Sequence, residues 1–168
     1  VGLGTRVMGA PILPITSRRM PLPNPEFASA DGLLAFGGEL TNERLLEAYA
    51  KGIFPWFSSD EEPVLWWSPD PRAVVDTEAF EPSRSLRKTL RNRGFEISLD
   101  TAFADVINRC ATIRRRSEAG APNGTWITES MTAAYIALHR KGYAHSVETR
   151  LDNELVGGLY GCLLYTSP

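Results

Sequence analysis

The sequence predicts a mixed α+β fold, and three observations support this prediction. Four segments begin with side chains that can cap a helix and continue with apolar residues every three or four positions. Two later segments, 146–150 and 155–160, favour paired strands joined through Asp152-Asn153, a pair typical of tight turns. Between the first two helices lies an aromatic stretch that prolines interrupt too often for a long helix or strand.

Composition indicates an ordinary globular protein. The chain has 168 residues, of which 43% are hydrophobic and 23% charged. No apolar run approaches the roughly 20 residues that span a bilayer, and no secretory leader is visible, so we expect no membrane segment. Cys110 and Cys162 show no disulfide or metal-binding spacing, which favours free thiols in the cytosol. His139 and His145 are too few for a His-rich metal site, and we expect both to be structural or surface residues.

The net charge of −2 conceals an uneven distribution. The segment from Arg84 to Arg116 contains nine Lys or Arg and three acidic residues, so it carries +6 and the rest of the chain −8. A basic region in an otherwise acidic chain favours a polyanionic partner.

The first part of the chain is predicted to be an extended leader followed by one short buried element and a helix. Residues 1–31 contain five prolines and little periodicity. Residues 33–38 predict a buried turn or short strand ending in two glycines. Thr41 caps the helix, and Gly52 suits the left-handed position beyond its end. The apolar face of this helix comprises Leu45, Leu46 and Tyr49.

The aromatic stretch follows this helix and holds three of the four tryptophans. It consists of Gly52-Ile53-Phe54-Pro55-Trp56-Phe57 and Leu65-Trp66-Trp67-Ser68-Pro69-Asp70-Pro71-Arg72. Rigid aromatic side chains on irregular backbone suit the wall of an apolar pocket. The simpler alternative is a loop pinned to the core by its aromatic side chains.

The second helix is predicted to begin at Pro82-Ser83 and to end at Gly94, after a short strand over 73–75. Leu86 and Leu90 are expected to face inward. Four cations share the opposite face: Arg84, Arg87, Lys88 and Arg91. Such clustering favours contact with backbone phosphates, and the alternative is a solvated face.

The remaining elements alternate between strands and helices. A strand over 95–99 precedes a helix capped by Asp100 or Thr101, whose apolar stripe comprises Phe103, Val106, Ile107, Cys110 and Ile113. A polar loop containing Arg114-Arg115-Arg116 runs to Gly124. Thr128 then caps a helix that carries Met131, Tyr135 and Leu138 and ends at Gly142. Gly157-Gly158 in the last strand indicates that another group approaches its backbone closely.

Five segments resemble the leucyl/phenylalanyl-tRNA–protein transferase family. They are the two aromatic segments, Asp31-Gly32-Leu33-Leu34-Ala35-Phe36-Gly37-Gly38-Glu39-Leu40, Gly124-Thr125-Trp126-Ile127-Thr128, and Ala144-His145-Ser146-Val147-Glu148 with Glu154-Leu155-Val156-Gly157-Gly158. Their order and spacing resemble the family's from about residue 24 to residue 161.

The resemblance implies a cytoplasmic bacterial enzyme without a cofactor. Such an enzyme moves leucine, phenylalanine or methionine from aminoacyl-tRNA to the N-terminal arginine or lysine of an acceptor protein, which marks the acceptor for degradation. The resemblance also implies a small N-terminal domain, residues 1–69, and an incomplete acetyltransferase-like (GNAT-like) α/β domain, residues 70–168. We expect a monomer. Residues 163–168 do not follow the family pattern.

The resemblance also implies functional residues. Five match positions near the aminoacyl pocket and the terminal adenosine: Trp56, Trp126, Tyr49, Tyr135 and Leu159, the last where the family often has methionine. For the two tyrosines, helix-face packing is the alternative that spacing alone favours. The four cations Arg84, Arg87, Lys88 and Arg91 match a basic cluster against the tRNA body.

No position in this sequence matches the acidic and amide residues proposed to assist transfer in the family. The catalytic residues are therefore unknown, and we expect the chain as written to be inactive. Two alternatives stay open: an acetyl-CoA-dependent N-acetyltransferase of the same fold, and a non-catalytic tRNA-binding fragment. The first needs a Gln/Arg-x-x-Gly-x-Gly/Ala loop for a pyrophosphate, and none occurs.

Overall fold

A computed structural model describes residues 12–112 and 126–163 and confirms the mixed α+β fold. The helices are α1 (Asn42–Ala50), α2 (Arg84–Asn92), α3 (Phe103–Thr112) and α4 (Glu129–Arg140). The strands are β1 (Leu13–Ile15), β2 (Leu33–Gly37), β3 (Phe54–Pro55), β4 (Leu65–Trp67), β5 (Glu96–Leu99), β6 (Ala144–Leu151) and β7 (Glu154–Cys162). A short 3₁₀ helix covers Pro25–Phe27. The predicted polar loop, with Arg114 to Arg116, and Ile113 lie outside the described residues.

The first sheet has the strand order β1-β2-β4-β3 and contains part of the aromatic stretch. Its strands β3 and β4 are only two and three residues long, and Pro55 lies opposite Trp66 on the outer strand. Proline is tolerated there because an outer strand need not donate on its open side. Trp66 is fully buried, and its indole N–H donates to the carbonyl of Gly37 at 2.9 Å.

Helix α1 directs the aromatic stretch, as its capping residues predict. The Thr41 hydroxyl accepts from the N–H of Arg44 at 3.2 Å. Gly52 has a φ of 70°, a left-handed conformation that favours glycine, and lies directly after the helix. Ile53 is fully buried, and its N–H donates back to the carbonyl of Ala48 at 2.8 Å. The chain therefore leaves α1 in a fixed direction.

The second sheet is antiparallel, with the order β5-β6-β7. The turn between β6 and β7 is formed by Asp152 and Asn153, with φ values of 51° and 64°, which confirms the predicted tight turn. Helices α3 and α4 pack on one face of this sheet. The opposite face exposes apolar side chains: Ile97, Leu99 and Leu159 are 57%, 64% and 67% exposed.

Two predictions about α2 and the preceding segment are wrong. Ser83 caps α2 as expected, but Leu86 and Leu90 are 42% and 46% exposed instead of facing a core. Residues 73–75 form no strand, and Val74 is 85% exposed. All residues of α2 and residues 73–75 are exposed, so these apolar side chains do not join the described core.

The predicted cap of α3 is also wrong. The helix begins at Phe103, so neither Asp100 nor Thr101 is the residue directly before it. The carboxylate of Glu148 from β6 accepts from the N–H groups of Thr101 and Ala102, which precede the helix. Asp100, with a φ of 58°, instead accepts from the N–H of Ser146 at 2.8 Å. A carboxylate that comes from a distant strand leaves no local sequence pattern for this contact.

Both sheets share one hydrophobic core. The buried side chains of the first part, such as Leu45 and Trp66, belong to the same cluster as Ile107, Met131 and Leu138 of the second. Among the residues that the structure describes, no helix has the length and apolar character needed to cross a bilayer.

Candidate functional site

A cavity of about 280 Å³ opens where α1, α4 and β7 meet. It is lined by Tyr49, Cys110, Trp126, Ile127, Tyr135, Gly158, Leu159, Tyr160 and Gly161. Four of the five predicted pocket residues are thus brought together, although they are separated by up to 110 positions in the chain. The volume is close to the lower end of the range for small-molecule sites, roughly 300–1,000 Å³.

Tyr49 and Tyr135 join α1 to α4 through a hydrogen bond between their hydroxyl groups. Their rings meet edge to face, with centroids 6.4 Å apart. Burial raises the pKa of Tyr49 to about 12 and the pKa of Tyr135 well above its ordinary value, because a phenolate loses its hydration there. Both hydroxyls therefore stay neutral at physiological pH. The two tyrosines therefore pack against each other between the helices, as their spacing favours, and also line the cavity.

Aromatic contacts continue from Tyr135 into the core. Its ring lies 5.6 Å from Tyr160, whose ring lies 6.0 Å from Phe103. Phe103 in turn stacks on His139 at 4.3 Å. The Nδ1 of His139 lies 2.8 Å from the carbonyl oxygen of Ala144, so this histidine is structural, as the sequence predicts. The back of the cavity is therefore continuous with a rigid aromatic cluster.

Strand β7 provides another wall of the cavity. A Cβ on Gly158 would lie 2.9 Å from Val106 of α3, which explains why the strand needs glycine there. The close approach predicted from Gly157-Gly158 is therefore that of a packed helix. Leu159 lines the cavity but is 67% exposed, because strand alternation puts its side chain opposite that of Tyr160.

Sequence reasoning missed Cys110 and Ile127 as lining residues. Cys110 continues the apolar stripe of α3, so its spacing indicates only a core position. Ile127 is buried beside Trp126, and its place in the family-like segment was the one available signal.

The structure does not place Trp56 with the other four predicted residues. Its side chain is 49% exposed and lies against Trp67, with ring centroids 6.0 Å apart. The indole N–H of Trp67 donates to the carbonyl of Trp56 at 2.8 Å. A substrate contact by Trp56 stays a prediction.

The four predicted tRNA-binding cations lie on α2, apart from the cavity. All four are exposed, and no residue of α2 is buried. Arg87 lies 3.4 Å from Glu81 and donates to the carbonyl of Pro82 at 3.0 Å, which relieves part of the charge repulsion. Contact between this face and tRNA stays a prediction.

The described lining of the cavity is suited to binding an apolar group. Its described lining includes neither a carboxylate nor an imidazole. Within residues 12–112 and 126–163, no group of three or more His, Cys, Asp or Glu could hold a metal ion. Both cysteines are free thiols, and burial raises the pKa of Cys162 to about 11.

Comparison with known proteins identifies the family. The family model described as leucyl/phenylalanyl-tRNA protein transferase matches residues 74–166, and the model of that family's N-terminal domain matches residues 38–70. The chain belongs to the leucyl/phenylalanyl-tRNA–protein transferase family.

Curated proteins named leucyl/phenylalanyl-tRNA–protein transferase resemble the chain along most of its length. The Desulfatibacillum aliphaticivorans protein is 54% identical over 142 residues, which cover 84% of this chain and 59% of the relative. The protein of an Azoarcus species is 54% identical over 154 residues, covering 92% and 60%. That of Chromobacterium violaceum is 51% identical over 151 residues, covering 90% and 59%. The chain thus spans about 60% of the length of these transferase relatives.

Proposed function

We propose that the chain binds the aminoacyl end of aminoacyl-tRNA as part of an aminoacyltransferase. The reaction moves leucine, phenylalanine or methionine to the N-terminal arginine or lysine of an acceptor protein, as a mark for degradation. The acceptor amine attacks the ester carbonyl, a C–N bond forms, and the C–O bond to the terminal ribose of the tRNA breaks. The proton that the amine loses ends on the ribose hydroxyl of the released tRNA. Because the ester is already activated, positioning is the main requirement.

The observation that carries this proposal is the aromatic cavity. Tyr49, Trp126 and Tyr135 converge on it, and the segment of β7 that carries Leu159 forms another part of its lining. Large rings can pack on an unbranched or γ-branched side chain and stack on adenine. The family's printed name supports an aminoacyl group as the occupant, and no described lining residue suits an acetyl-CoA pyrophosphate.

The basic face of α2 is proposed to bind the tRNA backbone. Its four cations are exposed and lie on one helix, which suits non-specific contact with phosphates. We further infer a cytoplasmic location and a monomer, in keeping with a tRNA-dependent enzyme.

The finer fold assignment also belongs to this proposal. A GNAT-like domain over residues 70–168, following an N-terminal domain over residues 1–69, is supported by the antiparallel order β5-β6-β7 with helices on one face. A crystal structure of a full-length relative, superposed on β5, β6 and β7, tests this assignment; a different strand order around them would contradict it.

Ester protection tests the pocket. The aminoacyl ester of phenylalanyl-tRNA hydrolyses spontaneously, and binding of this ester in the cavity should slow the hydrolysis. Trp126→Ala should remove the protection, and Trp56→Ala tests whether the exposed tryptophan also contributes. Val74→Ala, an exposed apolar change away from the cavity, is the control. Equal hydrolysis with and without the wild-type chain would refute the pocket.

Filter binding tests the α2 face. Reversing the charges of Arg87 and Lys88 to Glu should weaken binding of charged and uncharged tRNA alike and reduce the salt dependence. Unchanged affinity would make the cluster a solvated face.

A further inference from the structure

One carboxylate links the two segments that carry Trp56 and Trp126, the tryptophans predicted to bind the substrate. Asp60 lies four residues after Trp56 in the loop between β3 and β4, and Ser130 lies four residues after Trp126 in the first turn of α4. The Oδ2 of Asp60 accepts from the N–H of Ser130 at 3.1 Å, and its Oδ1 accepts from the Ser130 hydroxyl at 2.5 Å. Both carboxylate oxygens therefore contact Ser130, which is 70 positions away in the chain.

Helix α4 does not need this contact for ordinary capping. Thr128 is its N-cap and already accepts from the N–H of Met131 at 3.3 Å. Asp60, from a separate segment, accepts from another N–H of the first helical turn, that of Ser130. The helix N-terminus also favours a negative charge there. An additional acceptor supplied from a loop fixes the loop and the helix relative to each other.

The loop itself is shaped to present Asp60. The Ser59 carbonyl accepts from the N–H of Glu62 at 3.1 Å, and the Ser59 hydroxyl accepts from the N–H of Glu61 at 3.2 Å. These bonds close a turn that holds Asp60 at its second position. The side-chain hydrogen bonds from Ser130 and Thr128 lower the pKa of Asp60, so the carboxylate stays charged at physiological pH.

The contact reaches the cavity through the start of α4. Trp126 and Ile127 line the cavity and directly precede the capped turn. On the other side, the loop continues into β4, where Trp66 is fully buried in the core. The Asp60–Ser130 contact therefore connects a rigid part of the first sheet to the wall that Trp126 forms.

We propose that Asp60 is a positioning residue that holds the Trp126 wall of the cavity in place through Ser130. This inference rests on the proposed function, since it assigns Asp60 to the fit of the aminoacyl group. Loss of the contact should loosen the cavity while leaving the basic face of α2 unchanged.

The test compares two ligands on the full chain. One is a hydrolysis-resistant analogue in which phenylalanine is joined to the 3′ position of adenosine through an amide, and the other is uncharged tRNA. Asp60→Ala should weaken binding of the analogue by about fivefold to tenfold, because it removes both hydrogen bonds to Ser130, which lie at an exposed site. It should leave the affinity for uncharged tRNA unchanged.

Glu61→Ala is the matched control, because it removes the same charge from the same loop without touching Ser130. Ser130→Ala keeps the N–H but loses the hydroxyl, so it should weaken binding of the analogue less than Asp60→Ala does. Adding Asp60→Ala to Ser130→Ala should reduce the affinity by a smaller factor than Asp60→Ala does in the wild type. Ser130→Ala also keeps the test decisive if Asp60→Ala does not fold.

The outcomes separate the two proposals. Failure of the wild-type chain to bind the analogue would overturn the proposed pocket and the role of Asp60 with it. Binding by the wild type with equal affinities for Asp60→Ala and Glu61→Ala would overturn the role of Asp60 alone. Equal weakening of both ligands by Asp60→Ala would show a general structural effect and would also overturn it.

Discussion

At the scale of single residues, Glu148 is a fully buried polar group that joins β5, β6 and the segment before α3. Its carboxylate is fully buried and accepts from the hydroxyls of Ser98, Thr101 and Ser146 at 2.7, 2.9 and 2.5 Å. It also accepts from the N–H groups of Thr101 and Ala102 at the start of α3. Burial alone would raise the pKa of Glu148, but these hydrogen bonds outweigh burial and lower it to about 2.

Glu148→Gln should destabilise the fold by about 3 kcal/mol. The NH₂ group of glutamine is a donor, and it would replace a carboxylate oxygen that accepts from backbone N–H groups. Urea unfolding measures the loss, and Glu154→Gln, an exposed change in the adjoining strand, is the control. Because the folded pKa lies below the ordinary value of 4.5, the stabilisation is present above pH 4.5 and is lost as the pH falls towards 2. A variant that unfolds in acid with the wild-type pH dependence would contradict this role.

At the scale of elements, the packing of α3 on β7 depends on one glycine. Gly158→Ala would place a methyl group 2.9 and 3.0 Å from the two γ-carbons of Val106, and a β-branched side chain in a core has little freedom to move. We expect a loss of about 1–3 kcal/mol from overpacking, measured by urea unfolding.

Gly157→Ala is the matched control for that change. Its added Cβ would lie 3.5 Å from the Cβ of Thr149, an ordinary contact. Similar losses for the two variants would point to strand conformation instead of packing against α3.

The junction of β5, α3 and β6 contains a pH-dependent ion pair. The Nδ1 of His145 lies 2.7 Å from Asp100, and its Nε2 lies 3.2 Å from the carbonyl oxygen of Gly142. Only the protonated ring can donate to both acceptors, and the hydrogen bond with Asp100 raises the pKa of His145 above 6.5. His139 lies 3.8 Å from the same carboxylate.

The ion pair should therefore stabilise the fold below pH 6.5 and lose its effect as the pH rises through the raised pKa. We expect the melting temperature of the wild type to fall between pH 6 and pH 8 by more than that of His145→Gln. The effect should be modest, because the side chain is one-third exposed. Parallel pH profiles for the two proteins would rule this out.

At the scale of the whole molecule, the second sheet has one covered and one uncovered face. Ile97, Leu99 and Leu159 expose apolar side chains on the face opposite α3 and α4. Within the described residues β7 is also an outer strand, so its backbone can pair with another strand. Such a surface favours association at high concentration.

Leu99→Lys should therefore reduce association, measured by light scattering across a concentration series. Val75→Lys is the control, because it adds the same charge at an exposed apolar residue outside the sheet. If both variants behave alike, net charge and not this face governs association. The expected monomer applies at low concentration, and a wild-type chain that stays monomeric at every concentration would contradict the predicted association.

Sequence patterns predict the structural features that are determined by residues close together in the chain. Thr41 and Thr128 cap helices by bonding to N–H groups three positions on, so both helix starts were predictable. The start of α3 was not, because the carboxylate that holds the segment before it belongs to Glu148, 46 positions from Ala102. The same limit applies to Leu86, whose inward orientation requires a packing partner that its own helix pattern cannot reveal.

The candidate site shows the same limit. Tyr49 and Tyr135 were identified through a family resemblance, while spacing alone indicated only a helix face. Trp56 shares a motif with buried aromatic residues, yet it follows the short strand β3 and is 49% exposed. Asp60 was not predicted at all, since its partner is 70 positions away.

The stacking of His139 on Phe103 gives the fold an internal magnetic reporter. Because the two rings lie nearly parallel with centroids 4.3 Å apart, the circulating electrons of Phe103 shield the imidazole protons. Their proton resonances should appear upfield of those of His145, whose ring has no such neighbour among the described ring contacts. Through Tyr160 and Tyr135, the same cluster reaches the cavity wall. A chemical-shift change at His139 would thus report a disturbance of the pocket by nuclear magnetic resonance without an added label.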